Sequence, residues 1–227
     1  MHRFILFDID LTLVRTLGAG REAVDIAFDH VFGIKDASAG WAFDGKTDYH
    51  SFRALLERHG VAGTDLDLTY QRLVGGYLTA FPSTMATKGG LVFPGVIALL
   101  DALEARYGAL GLATGNVERG AALKLGRFGL WERFSGGGFG EWTADRADLV
   151  LDGVTALARI LGQEPDTTRA VVFGDTPHDV QSAVRLGGRG IGVATGRYSV
   201  EELLAAGASA AFPDLTHLDA ILAAVEG

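Results

Sequence analysis

The chain has 227 residues, 48% of them hydrophobic, a formal net charge of −8 and no cysteine. That apolar fraction excludes a disordered chain, and the acidic balance, with no Lys/Arg-rich run, argues against nucleic acid as a partner. The lack of cysteine removes disulfides, thiolate metal sites and cysteine nucleophiles.

Phe4–Phe7 is an apolar run of the kind that forms a buried parallel strand. Asp8 and Asp10 follow it at once, and crowding two like charges beside a core is costly unless something offsets it. The next convincing strand comes only after Pro94, about 80 residues on, whereas a crossover needs roughly a dozen. Between them, Val24, Ala27, Phe28, Val31 and Phe32 form one helical stripe, and further helices read at 48–59 and 68–81. This segment is expected to be an inserted helical bundle, with 14–17 as the outgoing linker and 83–90 as the returning one.

From Pro94 onward, helices alternate with strands. Val96, Leu99, Leu100 and Leu103 recur at helical spacing over 94–106, after a favourable starting proline. Similar stripes cover 117–128, 147–161 and 179–186, and Gly108, Gly162 and Gly187 stand at or near helix ends. Strand-like runs lie at 110–113, 170–173 and 190–194, with a weaker one at 210–212. The 32 glycines, about twice the usual share of roughly 7%, suit many tight strand-to-helix turns. The pattern predicts an α/β fold, a doubly wound parallel sheet with an inserted α-helical domain: core 1–14 and 91–227, insert 15–90. No apolar run approaches about 18 residues and the N-terminus passes straight into a strand, so a cytoplasmic protein without membrane contact is expected.

In an open parallel sheet, ligands bind at the carboxyl ends of the strands. Asp8, Asp10 and Thr12 follow the first strand, Thr114, Gly115 and Asn116 the second, and Gly174, Asp175, Thr176 and Asp179 a later one. Crowded carboxylates need a cation, and an all-oxygen donor set suits Mg²⁺ better than zinc. Taken alone, Thr114 and Asn116 read equally as caps of the following helix.

The stretch Asp8-Ile9-Asp10-Leu11-Thr12 (DxDxT), then Thr114, then Gly174-Asp175-Thr176-Pro177-His178-Asp179 (GDxxxD) resembles the first, second and fourth motifs of the haloacid dehalogenase superfamily. The insert is similar to that family's helical C1-type cap, and Pro94-Gly95-Val96 stands where such caps commonly end. The phosphoglycolate phosphatase and β-phosphoglucomutase-like members are the most similar in appearance. The resemblance implies Asp8 as the nucleophile, forming an aspartyl-phosphate, and Asp10 as general acid and then base. It implies Mg²⁺ held by Asp8, the backbone carbonyl of Asp10, and Asp175. Thr114, with amides near Gly115 and Asn116, would hold phosphate oxygens; Thr12 would support the site, and Asp179 would orient Asp175 or complete the metal's surroundings.

The sequence departs from the family at two places. Leu11 stands where the family usually has glycine, and no lysine occupies the third-motif position, which within 141–147 is filled by Arg146. Arginine can supply the charge without being equivalent to lysine. The rival, Lys124, is expected to face solvent from its helix. In the insert, Lys46 either contacts an anionic part of the substrate or is simply an exposed lysine in a capped loop; Trp41 and Phe43 are expected in the insert's core, and His178 at the site's mouth.

The expected function is Mg²⁺-dependent hydrolysis of a small phosphomonoester by a monomer or homodimer. A phosphomutase is the near alternative. Further off stand a metal-independent dehalogenase, a phosphonatase using Lys46, and a non-catalytic binding protein on the same fold.

Overall fold

The four residues of β1 (Phe4–Phe7) are wholly buried, because both faces of the strand are covered. In the computed structural model, which describes residues 3–61, 63 and 65–227, β1 lies in the middle of a six-stranded sheet. The other strands are β4 (Leu110–Thr114), β5 (Gly137–Phe139), β6 (Ala170–Gly174), β7 (Arg189–Val193) and β8 (Ala210–Phe212), in the order β5-β4-β1-β6-β7-β8, every pair parallel. Strand alternation divides the core in two. Ile5 and Phe7 point to the side packed by α4 (Val96–Tyr107) and α9 (Leu218–Glu226), where Phe7 stacks on Phe173 with ring centroids 4.6 Å apart. Phe4 and Leu6 point to the side packed by α6 (Arg146–Leu161) and α7 (Pro177–Arg185). The doubly wound parallel sheet expected from the sequence is therefore what forms. The chain adds α5 (Glu118–Gly126) after β4 and a short α8 (Val200–Ala205) after β7.

Between β1 and β4 the chain builds α1 (Ala19–Phe32), α2 (Asp48–Arg58) and α3 (Leu66–Lys88), which share an apolar cluster of their own containing Phe28, Phe52, Leu55, Tyr70, Tyr77 and Phe81. Thr47 caps α2 by accepting from His50 N, and Asp65 caps α3 by accepting from Leu68 N.

The two expected linkers are not loose. Helix α3 runs on through Pro82 to Lys88, because Phe81, Thr84 and Met85 continue its buried side and the Thr84 hydroxyl donates to Ala19 O at 3.0 Å. Two short strands then close the insert: β2 (Val14–Arg15) and β3 (Leu91–Val92) pair antiparallel, Val14 opposite Val92.

Candidate active site

The carboxyl end of β1 delivers Asp8, whose amide donates to Phe173 O at 2.9 Å. The chain then turns sharply at Leu11, which holds φ +58°. This is the left-handed region, which costs a non-glycine residue roughly 1–2 kcal/mol. A glycine would adopt this conformation without strain; here a leucine carries it. Two contacts over-determine the turn: Leu11 N donates to Val14 O at 2.9 Å, and the Thr195 hydroxyl donates to Leu11 O.

Asp8, Asp175 and Asp179 bring carboxylate oxygens within 4.8 Å of one another, all three buried. Burial, with Asp179 second, pushes the Asp8 carboxyl up to about 7. Burial, with Asp179 and Asp8 behind it, pushes Asp175 up to about 9. Three buried carboxylates, with the charged forms of Asp8 and Asp175 disfavoured by burial and by the neighbouring acids, are an all-oxygen donor set that a hard divalent ion fits. Asp179 is already committed: its Oδ2 accepts from Thr176 N at 3.0 Å and from the Thr176 hydroxyl at 2.7 Å, closing the capping box of α7. The loop after β7 closes over Asp175 so tightly that a Cβ on Gly196 would fall 1.9 Å from Asp175 Oδ2. That loop was not anticipated as part of the site, although Ala194-Thr195-Gly196 repeats the Ala-Thr-Gly that ends β4.

Arg146 begins α6, just after the capping Asp145, and is only 9% exposed. Its Nη2 contacts Asp179 Oδ1 and lies 3.4 Å from Asp8 Oδ1. Its Nε is buried with no hydrogen-bond partner among the described residues, as is the Thr12 hydroxyl.

Lys124 does not face solvent. It is 4% exposed, and its Nζ donates to Asp10 Oδ2 at 2.5 Å and to Asn116 Oδ1 at 2.6 Å, 5.8 Å from the centre of the Phe81 ring. The reason is helical spacing: Lys124 shares the inner side of α5 with Ala121 and Leu125, and its methylenes carry the charge through that apolar layer to the carboxylate. Asn116 joins the network by donating from Nδ2 to Asp10 Oδ2 at 2.9 Å and to Thr114 Oγ1 at 2.8 Å. Thr114 is wholly buried.

The insert meets this site through backbone contacts. Asp48 N donates to Gly115 O at 2.7 Å and Tyr49 N to Gly140 O at 3.0 Å. Gly115 must be glycine here, since a Cβ would fall 2.5 Å from Lys46 O. Asp48 reaches across the boundary with its side chain: its Oδ2 accepts from Val117 N at 2.9 Å, and burial pushes its carboxyl up to about 6. The Lys46 ammonium donates to Ala42 O at 2.8 Å and lies over the Trp41 ring. Trp41 and Phe43 pack on the insert's apolar cluster, as expected. His178 sits against Gly45, on a neighbouring groove between insert and core.

Asp8, Asp10, Gly115, Asn116, Arg146 and Asp175 all line one cavity of about 350 Å³, whose lining also includes Leu11 from the turn and Arg21, Phe43 and Lys46 from the insert.

Comparison with known proteins points the same way. A family model described as haloacid dehalogenase-like hydrolase matches residues 5–183. The chain is 30% identical over 223 residues to a phosphoglycolate phosphatase of Rhodospirillum rubrum, covering 96% of this chain and 90% of that protein. It is 36% identical over 221 residues to the probable phosphatase IndB of Dickeya dadantii, covering 91% and 87%. Among solved structures, a hydrolase from Pseudomonas syringae superposes with a TM-score of 0.71 at 24% identity over 97% of this chain and 99% of that one.

Proposed function

Because the chain belongs to the haloacid dehalogenase-like hydrolases, we propose that it is a Mg²⁺-dependent phosphatase that hydrolyses a small phosphomonoester through an aspartyl-phosphate on Asp8. One observation carries the reading: Asp8 and Asp10 open into the same cavity, each beside its own buried cation. A carboxylate oxygen of Asp8 attacks phosphorus, the ester P–O bond breaks, and the departing alkoxide takes a proton from Asp10. Water then attacks the phosphorus of the acyl phosphate, giving its proton to Asp10, and the bond to Asp8 breaks to release phosphate. Arg146, next to Asp8, balances charge on the transferring group. The cavity-lining Gly115 and Asn116 supply amides for its oxygens, while Thr114, expected to hold them directly, is wholly buried outside the cavity lining and supports Asn116 through its hydroxyl. Asp8, Asp175 and the backbone carbonyl of Asp10 would hold Mg²⁺, which supplies further neutralisation of phosphoryl charge when bound.

In this reading residues 15–90 form a cap over a core made of 1–14 and 91–227. The backbone contacts of Asp48 and Tyr49 with the core hold the cap against the cavity, and Lys46 stands on the alcohol side of the substrate. The support for an anionic alcohol is that Arg21 and Lys46 on that side hydrogen-bond to the neutral acceptors Ser38 O, Trp41 O and Ala42 O.

The test is phosphate release from a panel of phosphomonoesters, including p-nitrophenyl phosphate and phosphoglycolate, with Mg²⁺ and with EDTA. Turnover that requires Mg²⁺ and favours small anionic esters is expected. Absence of turnover across the panel, or full turnover in EDTA, would refute the reading.

A further inference from the structure

We propose that Lys124 is a positioning residue that fixes which oxygen of Asp10 carries the catalytic proton; the inference rests on the phosphatase reading given above. The two oxygens of Asp10 stand in different surroundings. Oδ2 accepts from the Lys124 ammonium at 2.5 Å and from Asn116 Nδ2 at 2.9 Å. An oxygen that already accepts from an ammonium and an amide has no room to hold a proton aimed elsewhere. Oδ1 has no hydrogen-bond partner among the described residues, and the Asp10 side chain is 42% exposed toward the cavity. The proton passed to the leaving alkoxide, and later taken from water, therefore travels on Oδ1.

Lys124 is suited to hold the other oxygen because it is itself held. Its side chain is 5% exposed, its second hydrogen bond goes to Asn116 Oδ1 at 2.6 Å, and Phe81 of α3 covers the ammonium. Asn116 is in turn tied to Thr114 Oγ1. The chain from Thr114 through Asn116 and Lys124 thus links the phosphate-holding end of β4 to the acid/base residue. Arg146 does not duplicate this role, because its two ion pairs are with Asp8 and Asp179. One cation serves the nucleophile and the other the proton carrier.

Leaving-group dependence tests this. A p-nitrophenolate departs without a proton, whereas an alkoxide requires one, and kcat/KM reports only the steps up to phosphoenzyme formation. In Lys124→Met, kcat/KM for an alkyl phosphate from the panel should fall by about 10²-fold, the low end for losing general acid catalysis, while that for p-nitrophenyl phosphate falls less than about tenfold. A stoichiometric burst of p-nitrophenol followed by slowed turnover should appear, since the second step also uses Asp10. The double variant Lys124→Met/Asp10→Asn should be no slower than Asp10→Asn, because both remove one device. Equal losses on both substrates, or additive losses in the double variant, would overturn the proposal. If Lys124→Met does not fold, Lys124→Gln carries the same comparison. If the wild type hydrolyses none of the esters, it is the phosphatase reading that fails, not the assignment of Lys124 within it.

Discussion

Arg146 is a buried guanidinium facing the two carboxylates Asp8 and Asp179, and replacing it with alanine leaves that cluster without a protein cation. At an effective dielectric of about 20, two unit charges at the 3.4 Å separating Arg146 from Asp8 interact by about 5 kcal/mol. Desolvation of the guanidinium offsets much of this in the intact protein, but a broken pair loses the attraction and keeps the buried acids. The expected destabilisation is therefore about 3–5 kcal/mol. It should be read by urea unfolding in EDTA, where no other cation can substitute, and part of it should return in Mg²⁺. Asp8 already sits at about 7 with Arg146 lowering it, so without the guanidinium its carboxyl moves further up and less of it is ionised at neutral pH. Consequently kcat/KM should fall on the order of 10²-fold or more, with the acidic limb of the pH profile displaced toward alkaline pH. Arg146→Lys should recover part of the loss, since the charge survives while the planar fork does not. Wild-type stability in EDTA together with kcat/KM within about threefold of wild type, a loss of under about 0.7 kcal/mol, would refute this account of the cluster.

Asp8→Asn should abolish turnover and the trapping of phosphoryl mimics such as fluoroberyllate while the far-UV spectrum stays native; near-wild-type turnover would rule out the covalent route. The apo protein should be less stable at alkaline pH, because Asp8 at about 7 and Asp175 at about 9 are both raised above 3.8. Between roughly pH 4 and 9 the folded state holds more protons than the unfolded one, so stability falls as pH rises through that window. Mg²⁺ binding should then release protons and raise the melting temperature most at the alkaline end; a Mg²⁺-induced shift independent of pH between 6 and 9 would contradict the assigned donors.

What the sequence made legible follows from what each element is in contact with. Strands β1, β4, β6, β7 and β8 are visible as apolar runs, four of them because helices cover both faces of the sheet. β5 is invisible because it is written Gly-Gly-Phe: a Cβ on Gly138 would fall 2.0 Å from Leu149 O, so the closeness of α6 replaces the apolar signal with glycine. β2 and β3 span two residues each, too short for any periodicity, and exist only through their pairing. The carboxylates were legible from their position after strands. Lys124 was misread because a lysine on a helical stripe counts as polar in pattern reading, and only the tertiary fold shows that its charge ends on Asp10. Asp48 was obscured in the same way: Thr47 takes the cap, which frees the neighbouring carboxylate to bond Val117 across the boundary.

The contacts that close the insert on the core are largely made by main-chain atoms, and this divides the work of the site. Asp48 N on Gly115 O and Tyr49 N on Gly140 O depend on backbone position, with glycine required at 115 to allow the approach, and the Tyr70 side-chain hydroxyl adds a bond to Glu141 O. The backbone contacts do not depend on the identity of the neighbouring side chains that line the cavity. Leu11 is part of that lining. Its left-handed backbone is what the turn after Asp10 demands, and glycine would meet that demand without strain. A leucine held there at a cost of roughly 1–2 kcal/mol places an apolar side chain in the cavity beside Asp10, where glycine would leave space. Arg21, stacked on Phe43 across the same cavity, supplies the opposite character. Under the phosphatase reading proposed above, the alcohol portion of a substrate would meet the apolar Leu11 side chain on one side and the cations Arg21 and Lys46 on the other.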